Sequence, residues 1–505
     1  MTFDATRLVE QTFAKKVRIT LLDDVRCIVS GMHPDDASYF YHEYAFHVEG
    51  YFFQPKYKLG IWDGKTHFFT EEGKTYNNLL PEIVPKIKSM GYKMELNDKR
   101  IGKSVVVDAV TEDYFSHIVD PKTGEPFSIR EYQTDAVNAA TEEGFGVIIA
   151  GTGAGKSIIN SVLADLYGKK GLRTLTIVPA VSLISQTYDI FNMLGLDVGQ
   201  YSGDTKDIDH THLVSTWQSL QNNPKIVKDF QVVIVDECQA AKSKVINELI
   251  NDHGKHIAHR FGLTGTLPKA KADRMTIFVS LGPVRYEVHA HTLIDAGWLA
   301  RPNITILQLD DQARIDQLAG GKAPTKAELS DEERKDMYDS ETSFLQQDLP
   351  RRQWIADFIT EKGSAHKGNV LCLVNNITSG KKLAKLIPGS HFLHGSDDQE
   401  VRKRIYDLFE TENNITVIAT VQIAGVGLSI DRIFNLIFLD GGKSFIRTIQ
   451  RIGRGLRKGK DKDSVDIVDI CGNLEYSKKH LAARIKYYKD AKYKHKKITA
   501  DYING

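Results

Sequence analysis

No run of eighteen consecutive apolar residues occurs in this chain of 505, so no segment reads as a membrane-spanning helix. The opening Met1-Thr-Phe-Asp-Ala-Thr-Arg7 has no basic stretch followed by an apolar one, and no secretory leader is expected. Cysteine is scarce: Cys27, Cys238, Cys372 and Cys471 are scattered along the chain. Packed free thiols are therefore expected in place of disulfides or a zinc site. Net charge is almost absent too, since 66 Lys and Arg against 65 Asp and Glu leave +1. Total charge thus says nothing about a polyanionic partner. These absences predict a cytoplasmic protein without a membrane partner, and 505 residues exceed one ordinary core.

What is present begins with Gly146-Val-Ile-Ile-Ala-Gly-Thr-Gly-Ala-Gly-Lys-Ser157, an apolar run entering a glycine-rich turn. Residues Ala150 to Ser157 have the spacing in which backbone N–H groups cradle a triphosphate. Gly151, Thr152, Gly153, Ala154 and Gly155 would line that cradle, with Lys156 reaching the outer phosphates and Ser157 holding Mg²⁺. Glycines keep side chains from holding the phosphates off the amides. The run from Ser157 to Leu166 has the length and apolar content of a helix whose positive end points at the nucleotide.

A second piece of chemistry follows the apolar run Val232 to Val235, where Asp236 and Glu237 come in succession. Asp236 is suited to complete the Mg²⁺ shell and Glu237 to orient or deprotonate the attacking water. Short apolar strands are predicted at 147–149, 175–178, 213–215, 232–235 and 261–263, separated by helical runs, the alternation of a parallel sheet covered on both faces. Leu293 to Asn303 reads as a connector, and 310–349 as exposed helices or linker. A second series, at 370–374, 415–419, 436–439 and 465–470, has no phosphate loop. It has Gln450-Arg-Ile-Gly-Arg-Gly-Leu-Arg457, where Arg451, Arg454 and Arg457 repel one another unless an anion is supplied.

Upstream, Lys16 to Leu21 alternates as a half-exposed strand, and 35–47 reads as a helix capped by Asp35 or Asp36. Phe53 to Lys65 sets Lys56, Lys58 and Lys65 beside Tyr57 and Trp62. Cations beside flat rings suit a sugar-phosphate backbone and unpaired bases. The same residues fit a hairpin turned at Asp63-Gly64 with Trp62 in a small core. Residues 97–113 read as a joint, and 128–137 as the start of an amphipathic helix on which Gln133 could read an adenine edge beside Arg130. At the far end, nine Lys or Arg between Lys478 and Lys497 face a single acid, Asp490.

Together these stretches resemble the helicase superfamily 2 motor core, in a match that runs from Arg130 to Arg457. The resemblance implies an α/β fold of two tandem RecA-like domains, with parallel sheets flanked by helices, and ATP and Mg²⁺ as cofactors. It assigns Arg130 and Gln133 to adenine reading, Ala150–Ser157 to motif I, and Asp236-Glu-Cys-Gln239 to motif II. Thr264-Gly-Thr266 becomes the coupling motif III. Pro179, Ser182 and Gln186, then Thr216, then Asn375, then Thr420 and Gln422 fall in DNA-contacting motifs. Gly427 and Gln450 join the nucleotide site, and Arg454 and Arg457 stabilise charge on the transferring phosphoryl group. Gln239 departs from the usual His or Asp, and Ser429 from the usual acid. Phe53 to Lys65, followed by Leu79-Leu-Pro81, resembles the accessory domain of phage UvsW-type branch-migration helicases. That implies a small α+β DNA-binding domain ahead of the motor, with Lys56, Lys58, Trp62 and Lys65 on DNA.

The expected divisions are 1–105 for the accessory domain, 106–300 and 301–475 for the two motor domains, and 476–505 for a basic helix or tail. The expected activity is that of a DNA-dependent ATPase: a monomeric helicase or translocase acting on forked, branched or recombination-intermediate DNA, in the host cytoplasm if of phage origin. An RNA helicase, the translocase subunit of a restriction-type complex, and a nucleotide-gated DNA-binding scaffold are the alternatives.

Overall fold

A computed structural model describes residues 15–102, 104–121, 123–151, 153–240, 243–322, 330–365, 368–424, 432–442 and 462–503. The amino-terminal strands are β1 (Lys16–Leu21), β2 (Arg26–Ser30), β3 (Ala45–His47), β4 (Lys65–His67), β5 (Lys74–Tyr76) and β6 (Lys93–Asp98). Four of them form a sheet ordered β5-β2-β1-β6. Strand β1 occupies the predicted residues and turns Val17, Ile19 and Leu21 inward, because alternate side chains of a strand share a face. They meet Phe40, Phe69 and Ile83 in the core of this module.

Two local readings change here. The helix expected over 35–47 is Pro34–Glu43, and its cap is His33, whose Nδ1 accepts the Asp35 N–H at 3.4 Å, not Asp35 or Asp36. Pro34 fits the first turn, where an N–H has no helical partner in any case, and β3 takes 45–47. Asp63-Gly64 does not turn a hairpin of its immediate neighbours. Strand β4 pairs antiparallel with β3, so residues 48–64 form one long excursion, closed where Val48 N donates to Gly64 O at 2.9 Å.

The next sheet comprises β7 (Phe145–Ala150), β8 (Thr174–Val178), β9 (Val198–Tyr201), β10 (His212–Thr216), β11 (Val232–Asp236), β12 (His259–Thr264) and β13 (Val284–Val288). Its order is β13-β7-β12-β11-β8-β10-β9 with every pairing parallel. The central strands β8, β10, β11 and β12 are buried at every position, and β11, with Val232 to Val235 in succession, reads as a continuous apolar run in place of an alternation. The amino-terminal module is seated on this sheet's helices. Asn78 Nδ2 donates to the carbonyls of Phe278 and Val279 at 3.0 and 3.2 Å, Arg260 donates to the Asp24 carbonyl, and Val279 enters the module's core.

The last sheet contains β14 (Arg301–Leu309), β15 (Asn369–Val374), β16 (His391–Leu393), β17 (Thr416–Thr420), β18 (Ile433–Leu439), β19 (Ser464–Gly472) and β20 (His495–Ala500). Its order is β16-β17-β15-β18-β19-β14-β20, again parallel throughout. Part of the presumed connector is therefore strand: β14 lies between β19 and β20. The charged stretch after it holds the helices Asp311–Leu318 and Asp331–Gln347, the second begun by a Ser330–Glu333 capping box. Within the stretch expected as a basic helix or tail, Glu475–Asp490 form a helix and His495–Ala500 the edge strand β20. Eight of the nine basic side chains between Lys478 and Lys497 are exposed, and the ninth, Arg484, is buried with two hydrogen bonds to the Asp469 carboxylate.

By packing, the chain divides into two compact units: Met1–Ala150 with Gly155–Val288, and Gly151–Ala154 with His289–Gly505. All four cysteines are free and buried, as the composition led us to expect. Two parallel sheets with their helices, behind a small α+β module, give the tandem RecA-like architecture.

Candidate active site

Strand β7 delivers the chain to the glycine-rich turn at its carboxyl end, the edge of a parallel sheet where ligands sit. The helix Lys156–Gly168 follows, with Gly155 as its N-cap at φ 74°. This left-handed conformation favours glycine, and a Cβ at Gly155 would collide with the Gln133 amide nitrogen. Gln133 is thereby placed under the loop. Its Oε1 accepts the Arg130 N–H at 3.1 Å as half of a capping box, so the helix cap and the loop are fixed by one side chain. The Arg130 guanidinium lies 3.0 Å from the Tyr132 hydroxyl.

The acids stand at the end of β11. Asp236 is buried and its Oδ1 accepts the Glu237 N–H at 3.0 Å. Glu237 itself has φ 49°, a conformation that costs a non-glycine residue about 1–3 kcal/mol and tends to occur at functional sites. The bend turns its carboxylate to Lys156, whose Nζ lies 3.1 Å from Oε1. The other oxygen, Oε2, accepts from Gln239 Nε2 at 2.6 Å. Gln239 Oε1 is in turn 2.5 Å from the Thr264 hydroxyl. That hydroxyl also lies 2.7 Å from the Thr266 carbonyl and accepts the Thr266 N–H at 3.1 Å. Lysine, glutamate, glutamine and threonine thus form one continuous polar line from the phosphate loop to the end of β12. The amide of Gln239 suits this place because it donates to a carboxylate on one side and accepts from a hydroxyl on the other. Beneath the line, burial pushes the Cys238 thiol well up, with Glu237 and Asp236 adding to the shift, so it stays protonated.

Ser157 in the first turn of its helix and Asp236 at the strand end present a hydroxyl and a carboxylate, oxygen donors that suit Mg²⁺ shared with substrate phosphates. Among the described residues no cluster of three or more His, Cys, Asp or Glu could hold a metal ion alone. A cation here would thus take its remaining ligands from water and phosphate.

The residues expected to contact DNA occupy varied places in the fold. Thr216 is buried, and its hydroxyl caps the helix Trp217–Asn222 by accepting the Ser219 N–H at 3.2 Å. That hydroxyl is thus engaged in a helix cap. Thr420 is also buried, at the end of β17, and its hydroxyl has no hydrogen-bond partner among the described residues. Asn375 is exposed after β15, and its amide donates to the Asp440 carbonyl at 2.5 Å. Pro179 follows β8, and Gln186 lies half-buried in the helix Val181–Met193. Lys56 and Lys58 are exposed, whereas Trp62 donates its indole N–H to the Lys65 carbonyl at 2.8 Å. Thr152, Gly427, Gln450, Arg451, Arg454 and Arg457, and the side chain of Gln422, lie outside the described residues.

Three stretches of the chain match known families. Residues 126–269 match the family described as type III restriction enzyme, res subunit, and residues 351–459 match the helicase conserved C-terminal domain. Residues 33–97 match the amino-terminal domain of the DNA helicase UvsW. The ATP-dependent DNA helicase uvsW of Enterobacteria phage T4 is 26% identical over 487 residues, 89% of this chain and 93% of the relative. The chain resembles the superfamily 2 helicase motors of the UvsW type. A putative DNA 3'-5' helicase Rad25 of Haloarcula marismortui is 23% identical over 66% of this chain and 51% of its own length. Among solved structures, the type ISP restriction-modification enzyme LlaBIII bound to DNA superposes with a TM-score of 0.54 at 13% identity, over 84% of this chain and 36% of that one. A putative HsdR subunit of a type I restriction enzyme from Vibrio vulnificus gives 0.53 at 16%, over 74% and 69%. Those two show a shared fold.

In this UvsW-like motor, Gln239 is the residue whose role the sequence left open. Its two amide bonds carry the contact between the acids and Thr264. Hydrogen bonds to charged groups are worth about 1.5–3 kcal/mol, so Gln239→Ala is expected to lower strand separation per ATP consumed about tenfold or more, with nucleotide affinity little changed. Gln239→His, able to donate and accept, should restore part of the loss. Parallel ATPase and strand-displacement assays check this, and unchanged coupling in Gln239→Ala would remove the role.

Proposed function

We propose that this chain is a DNA-stimulated ATPase that converts hydrolysis into movement along DNA and remodels forked or branched DNA, acting as a monomer in the host cytoplasm. The observation that carries the proposal is the polar line Lys156–Glu237–Gln239–Thr264. It joins the residues that would meet the outer phosphates and the attacking water to a strand end whose position can answer to nucleotide state. The similarity to a phage ATP-dependent DNA helicase over most of the chain supports DNA as the polymer.

In this reading Lys156 leaves Glu237 for the outer phosphates, and Glu237 is freed to orient water. Ser157 and Asp236 would hold Mg²⁺, which when bound would neutralise phosphate charge. Arg454 and Arg457 are assigned to the charge that develops on the transferring phosphoryl group, a role worth about 10³–10⁵ in rate. Lys56, Lys58, Gln186 and Asn375 are assigned to the DNA backbone, and exposed lysines such as Lys486 and Lys489 add positive potential.

ATP turnover measured with forked duplex, single-stranded DNA and RNA side by side tests the proposal. Stimulation by DNA with strand displacement on the fork is the expected result. Stimulation by RNA alone would select an RNA helicase, and DNA binding with no turnover on any polymer would select a nucleotide-gated scaffold.

A further inference from the structure

The excursion between β3 and β4 ends in an apolar tip that faces outward. Phe53, Leu59 and Ile61 are 71, 72 and 72% exposed, and Phe52 is 51% exposed. This is not a loose loop. Tyr51 stacks on His47 at 4.2 Å and meets Tyr57 edge-on at 4.8 Å. The turn is closed by Ile61 N donating to the Lys56 carbonyl at 2.9 Å and by the Trp62 indole on the Lys65 carbonyl. The base of the tip is thus packed and hydrogen-bonded while its end presents large apolar side chains to water. Large apolar side chains exposed together on one short excursion are the kind of surface that marks an interaction site.

Charge identifies the occupant. Between Gly50 and Trp62 the only charged residues are Lys56 and Lys58, both exposed and set between Phe53 and Leu59. A surface that is apolar at its end and cationic at its flanks fits a ligand with flat apolar faces joined by anions, which is the chemistry of a nucleic acid with its bases unstacked. Apolar residues inserted at a base step part the stack, and aromatic rings hold a freed base without regard to sequence.

We propose that the 52–61 tip is a wedge that enters DNA where two strands part, with Phe53, Leu59 and Ile61 against the bases and Lys56 and Lys58 on the flanking phosphates. This rests on the proposed DNA motor and adds to it the element that separates the pair.

The test is the full chain carrying Phe53→Ala, Leu59→Ser and Ile61→Ser together, all exposed positions. The substrate is a synthetic fork with 2-aminopurine at the branch. Without ATP, the unsubstituted protein should raise the 2-aminopurine fluorescence and the triple variant should not. Strand separation by the variant should fall about tenfold or more, while ATP turnover on single-stranded DNA stays within about twofold, since stacking contacts of this kind are lost without touching the motor. Equal fluorescence and equal strand separation in both proteins would overturn the wedge and leave the motor standing. Absence of turnover in the unsubstituted protein would instead count against the motor, with the fluorescence still deciding the wedge. Self-association of the unsubstituted protein, abolished in the variant with fluorescence unchanged, would assign the tip to a second copy and overturn the proposal.

Discussion

Glu237→Gln is expected to lower DNA-stimulated ATP turnover by about 10²–10⁴, the range lost when a positioned group no longer handles the proton of the reacting water. Nucleotide and DNA affinity should stay close to those of the unsubstituted protein. Glutamine keeps the shape and can still accept from Gln239 Nε2, so the polar line from β11 to Thr264 survives. What disappears is the negative charge 3.1 Å from Lys156 and the ability to deprotonate or orient water through an anion. Lys156→Ala should match the loss in turnover and in addition weaken nucleotide binding, because it removes the cation meant for the outer phosphates. Steady-state turnover at saturating DNA, with nucleotide binding measured on the same preparations, separates the two. Turnover within about tenfold of the unsubstituted protein for Glu237→Gln would remove that residue from the chemistry.

The largest stability effect is expected from Arg351→Met. Arg351 is fully buried in the helix Leu349–Ala365 and bonds Asp311 at 2.8 Å and both oxygens of Asp440 at 2.8 and 2.7 Å. Burial works against its charge, but the Asp440 and Asp311 carboxylates prevail and hold it firmly protonated. Burial pushes the Asp311 carboxyl up to about 6 although Arg351 pulls it down. Removing one partner of a buried ion network leaves charge uncompensated and costs about 3–5 kcal/mol. Loss of the arginine also removes the pull that keeps Asp311 ionised, so its folded pKa rises further above the unfolded value of about 3.9. A carboxyl raised in this way favours the fold while protonated and loses that advantage as pH rises through its folded pKa. The deficit of Arg351→Met should therefore be smaller near pH 5 than near pH 8. Thermal melts at the two pH values check both magnitude and sign, and a melting point independent of the substitution would contradict the network's role.

The parts legible in the sequence are those written in adjacent residues. A phosphate loop needs its glycines, lysine and serine in succession. A strand-end pair such as Asp236-Glu237 follows directly on the apolar run that buries its strand. Strand β1 was legible because one face is wet, so Lys16, Arg18 and Thr20 alternate with Val17, Ile19 and Leu21. What escaped depends on distant residues. Strand β14 opens Arg-Pro-Asn, a composition shared with loops; Pro302 is accepted near the strand's start, and nothing local says that β19 and β20 will flank it. Strand β20 hid among lysines, which an edge strand tolerates because charge there discourages pairing with another chain. The roles of Thr216 and Gln133 as caps were masked by their motif positions, since one side chain can serve a helix end as readily as a ligand. Asp63-Gly64 read as a hairpin turn because nothing short-range indicates that Lys65 pairs with His47 across a long excursion.

The position of β14 has a consequence for biogenesis. Both of its hydrogen-bonded neighbours are translated much later, β19 at Ser464–Gly472 and β20 at His495–Ala500. During synthesis this nine-residue segment waits with two unsatisfied backbone edges, whereas β7 to β13 find one another within a shorter length of nascent chain. Pairings across such separations form slowly and leave sticky intermediates. The second half of the molecule is thus the half that a ribosome-associated chaperone would need to shelter.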